Sequence, residues 1–542
     1  MATNLQDIAR SYIERTNAHQ PAGATSRGFH EHDGELGDRS ERAIEERLRE
    51  VRGWLDELGR LDASGLTGHE PYDAELLRRR LQWELTEHDA VRGWQRNPGS
   101  YLASIGGGCN GLVIRDFAPL DDRLRSLVGR LRAAPGVLEE AKTNLRDPSR
   151  YHVETAIEQA GGMRALFERD LPDAAAKCGD AALRQEFAEA NAQALAAVNA
   201  FAEWMRGELL PRATEDFAWG ADTFGKLLSE TDSIDAPLDE LIRRGEEDLR
   251  AHQQMLHDVA AKIDGAKAPA EVVDAVSQDH PTPDELLPYV DSLLEELRQF
   301  SIDARLCTMP TEVRIGVAET PGFSRMTTQA ACSTPGPFER VAKEAYYYVT
   351  PPDAQWPAER TEAYLKFFNR WSIPGVTAHE AYPGHYVHLT YLHRAESELG
   401  RYLLSITPIE GWAHYVELLM VEHGYGGGDP RYHLMQIREA LLRLCRYRCA
   451  FGLHVEGWTP QQAIDFFMRE GYATPVIAER ETRRGIIGPN YYAYTMGKHE
   501  ILALREKLRQ REGEGFDERR FHDELMQLPY PVSTIERIMR RE

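Results

Sequence analysis

The chain has 542 residues, 42% hydrophobic and 28% charged, a balance that excludes a disordered polymer and allows a large buried core. Its 64 basic and 87 acidic side chains leave a net charge of −23, which repels phosphate backbones and excludes nucleic acid as the expected partner. No stretch reaches the roughly 18 apolar residues of a membrane span, so a membrane is not expected as a partner either.

In chain order, the N-terminus Met1-Ala-Thr-Asn-Leu-Gln-Asp-Ile lacks the basic start and apolar run of a secretory leader, and a cytoplasmic location is expected. Helical spacing of apolar residues predicts a helix over 39–62, with Ile44, Leu48, Val51, Leu55 and Leu58 on one stripe and Ser40 as a partial cap. A second helix is predicted over 72–93, and others over 121–145, 153–170, 181–208, 236–262 and 283–300. Two strands follow. Thr311 to Ala318 alternates with period two, and Ala345 to Thr350 holds three tyrosines and a valine before Pro351-Pro352. Further helices are predicted over 360–371, 376–399, 409–423, 430–452, 460–470, 474–485, 491–512 and 517–527. Gly- and Pro-rich stretches at 20–38, 95–120, 263–270, 304–310, 319–337 and 424–429 read as loops. The six cysteines are too scattered for a disulfide framework, and Cys445 and Cys449, four apart in a helix, read as buried thiols. The expected architecture is mainly α with a small β-sheet beside the active-site helix. An N-terminal helical region, 1–270, and a catalytic helical region, 271–542, are expected to intertwine.

The chemistry concentrates in Thr377-Ala-His-Glu-Ala-Tyr-Pro-Gly-His-Tyr-Val-His388. Zinc hydrolases place two His at i and i+4, which brings both imidazoles onto one helix face. Here His379 and His385 are six apart. An unbroken helix would turn them about 120° away from each other. Pro383-Gly384 offers the remedy, because proline removes a helix amide and glycine tolerates a distorted turn. A bulge or kink there is expected to return His385 to the face of His379. Glu380, beside the first His, is the expected general base. Glu410, in Pro408-Ile-Glu-Gly-Trp-Ala-His-Tyr-Val-Glu417, follows His385 by 25 residues, room for a turn and a second helix. It is the expected third ligand of a His₂Glu zinc site, one ion per chain. Glu417 is the fallback ligand, and His414 a second-sphere partner or substitute. His388 and His393 read as surface or outer-sphere groups.

Through His379-Glu-Ala-Tyr-Pro-Gly-His385 and Glu410-Gly-Trp-Ala-His-Tyr the chain resembles the bacterial family catalogued as domain of unknown function 885, with Asn97-Pro-Gly-Ser-Tyr101 and Tyr348-Val-Thr-Pro-Pro352 as further family features. That family is similar to the gluzincin peptidases, such as angiotensin-converting enzyme and thimet oligopeptidase. It departs from them by the Pro-Gly insertion. The resemblance implies a helical fold with a deep channel and a late tyrosine that stabilises an oxyanion. Tyr494, in Asn490-Tyr-Tyr-Ala-Tyr-Thr-Met-Gly-Lys-His499, is the candidate, with Tyr491 and Tyr492 competing or contacting substrate. Arg480, Arg483 and Arg484 lie on the preceding helix, and Arg484 is placed to receive a substrate carboxylate. The 345–350 strand could pair with an extended peptide.

The leading expectation is a zinc-dependent metallopeptidase, a carboxypeptidase or oligopeptidase acting on short peptides. An amidase or esterase for a small metabolite shares the same water activation. A non-catalytic helical binding protein with a vestigial metal site is the third reading. No P-loop and no Gly-x-Ser-x-Gly elbow occurs.

Overall fold

A computed structural model describes residues 4–322, 325 and 328–540. Helices occupy 72% of it, with a three-stranded sheet as the other regular element. The strongly amphipathic stretches form helices close to their expected limits, for example Glu41–Gly59, whose Ser40 hydroxyl accepts from the Ala43 amide, and Leu238–Asp264. Other helices arise where composition suggested loops. Pro21–Arg27 lies in the 20–38 stretch, and Pro98–Gly111 contains Gly106-Gly107-Gly108. The second forms because Asn97 caps it, Pro98 suits its first turn, and its small residues allow close packing. A Cβ at Gly108 would approach Ala22 and Leu36 to 3.1 and 3.3 Å.

Four apolar clusters hold the chain together. One is built almost wholly from residues 36–209. Another joins Leu76 to residues between 286 and 535, around the sheet. A third packs Phe224, Leu241, Leu249 and Leu256 against Leu441, Leu444, Phe451 and Tyr492, so a boundary near 270 does not divide the core. The fourth joins the first helices to Leu399 and Tyr402. All six cysteines are free, and Cys445 and Cys449 are fully buried.

The sheet has the order β1-β3-β2, with β1 (Gly316–Glu319) parallel and β2 (Ala330–Ser333) antiparallel to β3 (Tyr346–Val349). Two expectations change here. β1 starts at Gly316 rather than at Thr311, and β3 is the central strand. Paired on both sides, β3 has no free edge to offer a peptide. The outer edges belong to β1 and to β2, and β2 lies in a stretch read as a loop.

Burial sets a pH dependence on the fold. His152, His454 and His522 are buried, and burial pushes the pKa of each down to about 4. In the unfolded chain these rings take up protons near pH 6.5. Unfolding therefore binds protons between pH 4 and 6.5, and their contribution to stability is lost as pH falls through that window. The urea midpoint is expected to be higher at pH 7 than at pH 5. An equal or higher midpoint at pH 5 would show that these rings are not buried neutral.

Candidate metal centre

The expected helix over 376–399 is broken outright rather than bulged. α1 (Ile373–Glu380) ends where Ala381 leaves helical geometry at φ −117° and ψ −88°. The Tyr382–Pro383 peptide is cis, Gly384 sits at φ −74° and ψ −131°, and α2 (His385–Leu392) begins at once. Proline withholds an amide inside the break, while the Gly384 amide reaches back to Ala378 O at 2.9 Å. Gly384 passes so near α1 that a Cβ would stand 2.0 Å from His379 O and 2.3 Å from Ala378 O. Trp412 secures the break from the other side, donating its indole N–H to Pro383 O at 2.9 Å. The result is the predicted one by a sharper route. The rings of His379 and His385 lie 4.7 Å apart at 86°.

Glu410 comes from α3 (Ile406–Glu422), packed against both short helices. Its Oε2 lies 3.6 Å from His379 Nε2 and 3.4 Å from His385 Nε2. One ligand atom from each of the three residues falls within 4.8 Å of the others. Ligands about 2.1 Å from a tetrahedral ion stand roughly 3.4 Å from one another, so the spacing fits a first-row metal. Among the described residues, buried Glu410 Oε2 has no hydrogen-bond partner, as an atom reserved for an ion would have none. Burial works to lower the His379 pKa, but Glu410, Glu417 and Glu380 outweigh it and hold it up at about 9. Burial opposes ionisation of Glu410 too, yet His385 and His379 keep its carboxyl well below the usual range. The donor set attracts positive charge.

Glu417, the fallback ligand, is turned to another task. Its Oε1 lies 2.7 Å from His379 Nδ1, which leaves Nε2 facing the centre. Arg443, from α4 (Pro430–His454), meets the same oxygen at 2.7 Å, and His414 Nδ1 lies 3.5 Å from Oε2. This outer sphere is buried, and the Arg443 charge is what keeps Glu417 ionised there despite desolvation. Burial instead drives His414 well below its ordinary pKa. Arg443 was not anticipated. The signal was present in Leu441-Leu-Arg-Leu-Cys445, a charge inside an apolar helix. His388 is no surface residue. It is buried beside Trp412, with its pKa pushed down to about 3 by burial.

Glu380 reaches from the end of α1 to the sheet. Its Oε2 accepts the Cys332 amide at 2.7 Å, from the free edge of β2. Among the described residues nothing bonds its other oxygen. Tyr494 also belongs to the site. It lies on α6 (Ala493–Glu512), its ring 6.0 Å from the His379 ring and 21° from parallel to it. Close contact of α3 and α6 brings it there, since a Cβ on Gly411 would meet Gly497 Cα at 2.4 Å. Arg484, on α5 (Pro475–Ile487), donates to Tyr494 Oη at 3.1 Å. The other two tyrosines turn into the core. Tyr492 is fully buried with its hydroxyl donating to Asp232 at 2.7 Å, and Tyr491 is buried against Gly485. The motif alone predicts substrate contact for both, and the 3-10 turn Pro489–Tyr492 directs them inward instead. Arg480 and Arg483 are engaged by Glu481 and Glu158. Two surface hollows of about 510 and 250 Å³ lie elsewhere, lined by residues such as Glu46 and Trp371, and neither borders the His379 cluster.

The whole chain superimposes on two solved structures. A protein from Shewanella oneidensis, described as a "putative lipoprotein of unknown function", is 27% identical with a TM-score of 0.82, over 99% of this chain and 100% of that one. A protein from Colwellia psychrerythraea, described as a "putative lipoprotein", is 17% identical with a TM-score of 0.84, over 100% and 99%, a likeness of fold alone. No curated protein matches. The family of bacterial proteins of unknown function DUF885 matches residues 21–539. The chain belongs to that family.

Proposed function

We propose that the protein is a zinc-dependent hydrolase of amide bonds, a distant functional counterpart of the gluzincin peptidases, acting on short peptides. The convergence of His379, His385 and Glu410 with Glu380 alongside carries this reading. When bound, the ion supplies Lewis acidity and makes hydroxide accessible near neutral pH. The chain's own groups do the rest. Glu380, fixed by the Cys332 amide through Oε2, offers Oε1 to take the proton of the attacking water and return it to the leaving nitrogen. Tyr494 can donate its hydroxyl hydrogen to the oxygen that becomes negative, since its Oη already accepts from Arg484. Glu417 and Arg443 hold the His379 ring in its donating tautomer. The site is recessed, with ligand side chains 4–17% exposed, which favours flexible short chains over folded proteins.

The test is elemental analysis of the full chain beside His385→Ala. Wild type is expected to carry one zinc per chain and to cleave short peptides, and the variant to lose both while staying folded. Wild type that keeps no stoichiometric metal in metal-replete buffer removes the proposal. Among the described residues no helix is long and apolar enough to cross a membrane. The lipoprotein description of the Shewanella relative favours the cell envelope over the cytoplasm for this chain as well.

A further inference from the structure

The guanidinium groups around Tyr494 are unequally matched. Those of Arg443, Arg446 and Arg484 lie 5.8, 5.4 and 5.9 Å from its ring centre. Arg446 is buried and forks onto Glu481, Nε to Oε2 at 2.8 Å and Nη2 to Oε1 at 3.1 Å. Arg480 shares that Glu481 at 3.3 Å. Arg443 is buried between Glu417 at 2.7 Å and Glu439 at 3.4 Å. Each of these arginines has a carboxylate. Arg484 has none among the described residues, and its one hydrogen bond goes to Tyr494 Oη at 3.1 Å. It is also the exposed member of the three.

Its position relative to the metal centre gives this inequality a meaning. The Tyr494 ring lies 6.0 Å from the His379 ring and 5.9 Å from the Arg484 guanidinium carbon, so Arg484 stands within about 12 Å of that ligand. Extended chain advances roughly 3.5 Å per residue, so the reach from a scissile carbonyl to Arg484 is at most two or three residues. Arginine carries five N–H donors in a planar fork, and one of them is used here. The remaining donors match a carboxylate in two parallel hydrogen bonds. A net charge of −23 gives anions no long-range attraction, so any preference for them must come from such a contact.

We propose that Arg484 is the anchor for a substrate carboxylate lying one or two residues beyond the bond that is cut. The preferred substrates are then short anionic peptides and acylated amino acids. This rests on the hydrolase reading, because the reach is measured from the metal centre. The carboxylate is either the chain end or an acidic side chain, and both present the same two oxygens to the fork.

The test uses zinc-loaded full chain and three probes that share a succinyl monohydroxamate as metal-binding end. One carries alanine with a free carboxylate, one carries alaninamide, and one carries the α-amide of glutamic acid. Calorimetric titration is expected to show the free acid binding 10- to 100-fold more tightly than alaninamide. Arg484→Gln is expected to bring that ratio within twofold, and Arg484→Lys to keep part of the preference. The glutamate probe separates the sources. Tight binding by it supports a side-chain carboxylate, and tight binding by the free alanine acid alone supports the chain end. Equal affinity for all three probes in wild type, or an acid preference that survives Arg484→Gln, overturns the anchor and leaves the hydrolase standing. Bound zinc that engages no hydroxamate overturns the hydrolase and the anchor together.

Discussion

Gly384→Ala is expected to abolish the proposed zinc binding and to remove a large part of the protein's stability. The added methyl would stand 2.0 Å from one backbone oxygen and 2.3 Å from another, and neither can rotate aside as a side chain would. Relief requires α2 to move off α1, which breaks the 2.9 Å hydrogen bond from the Gly384 amide to Ala378 O and carries His385 away from His379. Forcing atoms into a packed interior costs on the order of 3 kcal/mol. A lower calorimetric transition together with loss of bound zinc is the expected pair of results. Gly375→Ala is the control, since a methyl on that helical residue meets nothing within 4 Å. A Gly384→Ala protein that binds zinc like wild type would mean that the break does not set the ligand geometry.

Glu380→Gln separates chemistry from metal binding. Glu380 lies outside the His379, His385 and Glu410 cluster, so the proposed zinc stoichiometry is expected to stay at one. The amide oxygen of Gln can still accept the Cys332 N–H, so the side chain keeps its place. What disappears is the ability to take a proton. A positioned general base contributes about 10² to 10⁴ in rate, and kcat on a short peptide is expected to fall by about 10³ with KM little changed. Activity within tenfold of wild type would assign proton transfer to another group, and loss of zinc would make Glu380 a structural residue.

The long helices and the meeting of His379 with His385 could be read from the chain because each rests on a local spacing. The stripe from Ile44 to Leu58 fixes a helix whatever surrounds it, and the Pro-Gly insertion between two His makes sense only if the helix gives way. What could not be read depends on distant partners. Pro98–Gly111 becomes a helix because its glycines let Ala22 and Leu36 come close. β2 is four residues with no alternation, and it exists because β3 offers it an edge. Tyr491, Tyr492 and Tyr494 share one motif, and only the packing of the 3-10 turn and of α6 decides which of them meets His379.

The group that steadies Glu380 is a main-chain amide, and this changes how the family's history should be read. Every amino acid but proline carries that hydrogen, so natural variation at position 332 can run free without disturbing the Glu380 carboxylate. Aligned descendants would show a drifting column there, next to the invariant ones expected for the ligands. Ranking positions by identity would discard the contact that holds the proposed general base, because what is inherited at that point is the path of the backbone.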